Sequence, residues 1–202
     1  MRKLAFLLCC IASLPFAQAR NADEVTPLLI GQKTPKVDVV DETGTKQFLP
    51  SLLKDKYSIV VFYRGGWCPY CSTHLQELAE AESQFLELGY QIIGISPDSP
   101  EMLASIEKDG DLPYSLYSDS GFAAIEGFGI DFSLNKPTLL KYKGYGIDLA
   151  KNSGGLNKDR LPAPAVFIVT PDNEIAFSYV NPNYKDRIPG DLLLAAAKAI
   201  KE

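Results

Sequence analysis

Apolar and polar positions divide the chain into short periodic segments separated by turn-forming residues. Ile59-Val60-Val61-Phe62-Tyr63 is a continuous β-branched and aromatic run, the pattern of a strand buried on both faces. Arg64-Gly65-Gly66-Trp67 breaks it. From Pro69 to about residue 88 the period turns helical: Leu75, Leu78, Ala79, Phe85 and Leu86 share a stripe, Glu77, Glu80, Glu82 and Glu87 fall largely elsewhere, and Gly89 is placed to end the helix. The pattern predicts a second buried strand over 91–96, a helix over 97–108 and a short strand over 114–117. Upstream, residues 37–40 and the turn-forming 41–44 predict an edge strand and a turn, after a polar lead-in over 20–35.

Strand, helix, strand, helix is the order of a parallel βαβ unit with a right-handed crossover. Residues 165–169 and 174–180 flank Thr170-Pro171-Asp172-Asn173 as a hairpin would, so the sheet is mixed, and 191–200 predicts a last helix. Residues 131–160 lack clear periodicity; so long a stretch in a compact domain points to a functional loop or insertion.

The 202 residues are 46% hydrophobic and 22% charged, the balance of a soluble globular protein. Residues 1–19 have the form of a signal peptide: Arg2 and Lys3, an apolar stretch over 4–16, then small residues in Ala17-Gln18-Ala19. That stretch, roughly 13 residues, falls short of the roughly 20 needed to span a bilayer. Phe6-Leu7-Leu8 before Cys9 lack the small residues of a lipid-anchor site. The expectation is an exported protein, in the periplasm or secreted, with one domain over 20–202 and no stable membrane insertion once the signal is removed. Losing Arg2 and Lys3 would leave 18 basic against 25 acidic residues, net −7. No basic block remains, which argues against nucleic acid or an anionic membrane surface as partner.

Cys9 and Cys10 would leave with the signal, so the mature chain keeps Cys68 and Cys71 alone. A Cys-x-x-Cys that follows strand and Gly-Gly and opens a helix has a physical use in each part. Pro69 suits the first helical turn, because its missing N–H has no partner to lose there. The positive helix N-terminus favours a thiolate at Cys68, and Cys71, one turn further in, can attack a mixed disulfide formed at Cys68. Two cysteines and one histidine are too few for a structural zinc site, and a merely structural disulfide closing so small a loop restrains little. A redox couple is the better account: Cys68 attacks and Cys71 resolves. Trp67 and Tyr70 flank the thiol and can shape a substrate groove or cap the core edge. His74 can tune a thiolate or simply pack. Arg64 is either a functional cation or a plain loop cation.

Val60 to Cys71 (VVFYRGGWCPYC), Ile93 to Asp98 (IGISPD), Pro113 to Asp119 (PYSLYSD), Lys143 to Leu149 (KGYGIDL) and Pro164 to Val169 (PAVFIV) together resemble the thioredoxin superfamily. Within it they are similar to the peroxiredoxin-like branch of the alkyl hydroperoxide reductase/thiol-specific antioxidant family. The resemblance implies an α/β thioredoxin-like fold with a central mixed β-sheet and helices on both faces. It also implies Cys68 as nucleophilic or peroxidatic cysteine, Cys71 as resolving cysteine, and Pro164 as a cis-proline facing the disulfide. Departures are clear. Where that family carries Pro-x-x-x-Thr/Ser-x-x-Cys, this chain has Val61 and Gly65, and the position of its usual arginine falls at about Pro164.

The expected function is an exported, cofactor-free thiol-dependent oxidoreductase using the Cys68–Cys71 dithiol/disulfide couple. Thiol–disulfide exchange is its core chemistry, with hydroperoxide reduction alongside. An external thiol reductant, a thioredoxin-like protein or a small thiol, would restore the pair, and the substrate would be a protein disulfide or a hydroperoxide. Two alternatives are a dedicated thioredoxin-dependent peroxidase and, from another class, a non-catalytic binding or chaperone module.

Overall fold

The apolar run that ends at Tyr63 lies in the interior of a seven-stranded sheet, and the alternation of its side chains builds the core on both faces. In the computed structural model, which describes residues 21–110 and 112–201, a 3₁₀ turn (Ala22–Glu24) precedes β1 (Asp38–Val40), β2 (Lys46–Phe48), α1 (Leu49–Leu53), β3 (Tyr57–Phe62) and α2 (Pro69–Glu87). There follow β4 (Tyr90–Ser96), α3 (Pro100–Gly110), β5 (Ser115–Ser118), α4 (Ala123–Gly127), β6 (Asp131–Ser133), α5 (Lys136–Gly144) and α6 (Leu149–Asn152). β7 (Arg160–Pro162), β8 (Ala165–Val169), β9 (Ile175–Val180) and α7 (Gly190–Lys201) complete the chain. The signal-like segment 1–19 lies outside the described residues.

The sheet order is β2-β1-β5-β4-β3-β8-β9, parallel for β3–β4 and β4–β5 and antiparallel elsewhere, so it is mixed as expected. Ile59, Val61 and Tyr63 face α2 and α7 with Leu75, Leu78, Phe85 and Leu193. Val60 and Phe62 face the other way, onto Phe122, Ile125, Phe128 and Phe167. The strand reads as uninterrupted apolar sequence because both faces are covered. Tyr90 and Tyr114 spend their hydroxyls on the carbonyls of Ala197 and Leu75, at 2.8 and 2.6 Å, and so tie α7 and α2 to the sheet.

Three expectations are corrected. β1 is not an edge strand, because the three residues of β2, too short and polar to stand out, pair outside it. The helix expected from 97 begins at Pro100, since Pro97, Asp98 and Ser99 form a turn whose aspartate is used elsewhere. Leu86 is 52% exposed, off the buried stripe of Leu75, Leu78 and Phe85. Residues 131–160 are structured, with α5 and α6 between the paired strands β6 and β7. They gave no periodic signal because α5 buries none of its side chains.

The lead-in is a strap: Thr26 N–H bonds Gly129 O at 3.0 Å, Leu28 N–H bonds Phe128 O at 3.1 Å, and Gly31 N–H bonds Ile175 O at 2.9 Å. Gly129 has φ +69°, and a Cβ there would sit 2.1 Å from the Thr26 carbonyl oxygen. Gly129→Ala is therefore expected to destabilise the protein by roughly 2–3 kcal/mol, lowering the thermal midpoint by about 5–10 °C in a circular-dichroism melt.

Candidate active site

β3 ends at Phe62, and the turn over 64–67 delivers Cys68 to the N-cap of α2, with φ −95°, ψ 112° and Pro69 in the first turn. The Cys68 side chain makes no capping bond; its carbonyl accepts from the N–H groups of Cys71 and Ser72 at 2.9 and 3.1 Å. Both cysteines are free thiols, Cys68 only 2% exposed and Cys71 fully buried.

The two sulfurs are made unequal. Cys71 donates its thiol proton to Cys68, and with the Cys71 backbone N–H and the charges of Arg64 and Arg187 this pulls the Cys68 pKa down to about 6, against the effect of burial. The same bond, together with burial, pushes Cys71 well up. Cys71 Sγ in turn accepts from the Arg64 backbone N–H and from Arg187 Nη2, each at 3.4 Å. A thiolate at Cys68 and a thiol at Cys71 is thus the resting arrangement at neutral pH. Since the folded pKa lies below the ordinary value of 9.0, ionised Cys68 favours folding above that value, and this contribution is lost as pH falls through about 6.

Arg64 is a buried cation set among aromatic rings. Its side chain is buried, 3% exposed, with the guanidinium 4.2 Å from the Tyr184 ring centroid, 5.3 Å from Trp67 and 5.6 Å from Tyr142. Nη2 donates to the Tyr142 hydroxyl. Arg187, half-buried in the loop between β9 and α7, brings a second guanidinium to the dithiol; its Nη1 donates to the carbonyls of Tyr184 and Asp186. Sequence reasoning missed Arg187, Tyr184 and Tyr142. They lie 74 to 119 residues beyond Cys68, in polar segments with no motif, and only the tertiary fold brings them in.

The remaining site residues divide. Trp67 walls the site, edge-on to Tyr142 at 5.7 Å, and Tyr70 sits on the exposed rim, edge-on to Tyr184 at 5.7 Å; Pro69 is exposed beside it. His74 is buried and its pKa is lowered to about 4, by burial first and Arg187 second, so it is neutral at pH 7 and supplies no charge to the thiolate. Pro164, expected cis and facing a disulfide, is trans, as is every described peptide bond. Ala163 N–H bonds Ile130 O at 2.8 Å and Pro164 O accepts from Asn181 N–H at 3.1 Å, which fixes an extended approach to β8.

Gly65 shows why no threonine or serine can stand there. Its φ is +139°, and a Cβ would lie 2.4 Å from Trp67 Nε1 and 2.8 Å from Asp98 Oδ1. The buried Asp98 carboxylate fills that space, accepting from Gly66 N–H at 2.8 Å and Ser96 Oγ at 3.1 Å; burial raises its pKa to about 6.

A model described as the AhpC/TSA family matches residues 30–178, and the chain belongs to that family. It is a thiol-dependent oxidoreductase of peroxiredoxin type. Peroxiredoxin Bcp of Bacillus subtilis is 32% identical over 115 residues, covering 57% of this chain and 72% of the relative. A 1-Cys peroxiredoxin of Medicago truncatula is 27% identical over 173 residues, 82% of this chain and 70% of that one. Among solved structures, Peroxidoxin BcpB from Mycobacterium tuberculosis superposes with a TM-score of 0.66 at 20% identity, over 86% of this chain and 98% of its own. That likeness establishes the thioredoxin-like fold.

Iodoacetamide alkylation of the reduced protein should rise with pH to a plateau, with a midpoint near 6 for Cys68. Arg187→Gln should move that midpoint upward. Gly65→Thr, which restores the family hydroxyl to the sequence, should lower both thermal stability and activity, since neither the backbone angle nor the space admits it.

Proposed function

We propose that this chain is an exported hydroperoxide reductase in which Cys68 is the peroxidatic and Cys71 the resolving cysteine. The observation that carries the reading is a buried Cys68 at the N-terminus of α2, with Cys71 in the first turn and the guanidinium groups of Arg64 and Arg187 beside the pair. The Cys68 thiolate attacks the distal peroxide oxygen: an S–O bond forms, the O–O bond breaks, and the leaving alkoxide or hydroxide takes up a proton. Sulfur is oxidised to sulfenic acid as the peroxide is reduced to an alcohol or water. Arg64 and Arg187 stabilise the charge that moves onto the leaving oxygen, the task the family gives to groups absent here. Cys71 then attacks the Cys68 sulfur, the S–S bond forms, and the oxygen departs as water. An external dithiol, a thioredoxin-like protein or a small thiol, returns the pair to the reduced state by exchange through Cys68.

The same couple is competent for exchange with protein disulfides, and the adjacency of the two sulfurs favours that second reading. Exposure ranks the two: at 2% exposure Cys68 admits a hydroperoxide more readily than a disulfide on a folded partner. Export across a membrane, to the periplasm or beyond, is supported by the signal-like pattern of residues 1–19. A mass spectrum of the exported protein with Arg20 as its first residue would bear it out, and one retaining residues 1–19 would not.

Rapid mixing of the reduced protein with hydrogen peroxide, followed by Trp67 fluorescence, should give a rate at least about a hundredfold above that of a free thiolate of equal pKa. Cys68→Ser should abolish turnover, and Cys71→Ser should stop at a sulfenic acid captured by a sulfenate-selective probe. A rate no better than the free thiolate overturns the peroxidase reading and leaves disulfide exchange as the principal activity.

A further inference from the structure

Arg64 is a buried cation with little to fix its direction. Its Nε is buried and makes no hydrogen bond, and three aromatic faces hold the guanidinium by attraction that is strong in energy but broad in angle. The directional contact is the bond from Nη2 to the Tyr142 hydroxyl. Tyr142 comes from α5, a helix capped by Asn135, whose side chain accepts from Thr138 N–H at 2.9 Å. No side chain of α5 is fully buried, and its partly buried positions Thr138, Leu139 and Tyr142 share one face. The helix therefore meets the rest of the molecule through the same face that carries the Arg64 contact, with the Tyr142 ring set edge-on against Trp67 beside Cys68.

The geometry points to Tyr142 as a positioning residue of the peroxide site: its hydroxyl orients the Arg64 guanidinium toward the dithiol, which makes the segment 131–160 part of the active site. The inference rests on the role given to Arg64 in the peroxidase reading. It also assigns that segment a use, since without Tyr142 the cation that faces the leaving oxygen is free to rotate within its aromatic surround. A misdirected donor forfeits much of its value, because preorganised groups act only when aimed at the atom that gains charge.

Tyr142→Phe keeps the ring and its contacts with Trp67 and Arg64 and removes only the hydroxyl. It should slow peroxide oxidation of Cys68 about tenfold and move the midpoint of Cys68 alkylation upward, with the thermal midpoint nearly unchanged. In an Arg64→Lys background the same change should cost little further, because an ammonium is a point charge with rotating donors and has no planar fork for the hydroxyl to aim. Leu140→Ala, on the exposed side of α5 at 71% exposure, should leave rate and profile as they were. Alkylation and oxidation profiles of Tyr142→Phe that superpose on those of the unaltered protein would overturn the inference, as would full additivity with Arg64→Lys. A fall in thermal midpoint with unmoved profiles would equally reduce Tyr142 to a structural role. A slow peroxide reaction of the unaltered protein removes the peroxidase reading, yet the alkylation comparison still decides whether Tyr142 directs Arg64.

Discussion

A guanidinium taken out of water is costly unless something replaces its hydration, and Arg64 is in that position at 3% exposure. No carboxylate pairs with it among the described residues. What replaces water is the polarisable side of the molecule: three aromatic rings, one tyrosine hydroxyl and two cysteine sulfurs, one of which can carry negative charge. The dependence runs both ways. Burial alone would raise the pKa of Cys68, and the cations help to bring it down; the cation in turn is most at ease when the thiolate is present. A carboxylate partner would have satisfied Arg64 more cheaply, but it would also have cancelled the field on which a thiolate nucleophile draws. The choice of sulfur and aromatic faces keeps that field available.

In the proposed mechanism, the departures from the family pattern form one substitution rather than several losses. A hydroxyl at position 65 and an arginine at position 164 are both missing, and the structure explains the first in detail. Gly65 takes a backbone angle closed to threonine, so that the Asp98 carboxylate can reach the Gly66 N–H and brace the turn from below. Positive charge then arrives from Arg64, two residues beyond the end of β3, and from Arg187, in the loop after β9. The electrostatic demand of the chemistry is general, whereas the residues that meet it are set by which loops the fold happens to bring to the strand's end.

That distinction also explains what could be read from the sequence. The strand at 59–63, the helix from Pro69, the hairpin and the mixed sheet were legible because each is a local pattern with a single packing solution. The placement of Cys68 just before the helix and of Pro69 and Cys71 in its first turn was legible because Pro and Gly-Gly punctuate the pattern there. The segment 131–160 was not: a helix that buries none of its side chains leaves no periodic trace, and Tyr142 looks like any polar-segment tyrosine. Arg187 was hidden in the same way, within Asn183-Tyr184-Lys185-Asp186-Arg187, a stretch that reads as a solvated loop. The trans geometry at Pro164 and the neutral state of His74 depend on hydrogen bonds and burial supplied by distant elements, so no local rule could reach them.

In the proposed cycle the asymmetry of the two sulfurs sets the order of events. Cys71 is fully buried and holds its proton, so it is a poor first nucleophile whatever the oxidant. Once Cys68 is oxidised, the anion that held the Cys71 proton is gone, and the first of the two causes of the raised pKa goes with it, burial remaining. Arg187, 3.4 Å from Cys71 Sγ, then faces a thiol with less opposition to ionising. In the proposed cycle, oxidation of the first cysteine thereby eases ionisation of the second, one helical turn further along α2. Re-reduction has the opposite requirement, because a protein reductant must reach a buried sulfur, and the paired rings of Tyr70 and Tyr184 are 42% and 38% exposed. These two rings are the part of the site that an incoming partner meets first. The loop carrying Tyr184 also carries Arg187, so displacing the one to admit a reductant disturbs the cation that governs the other sulfur.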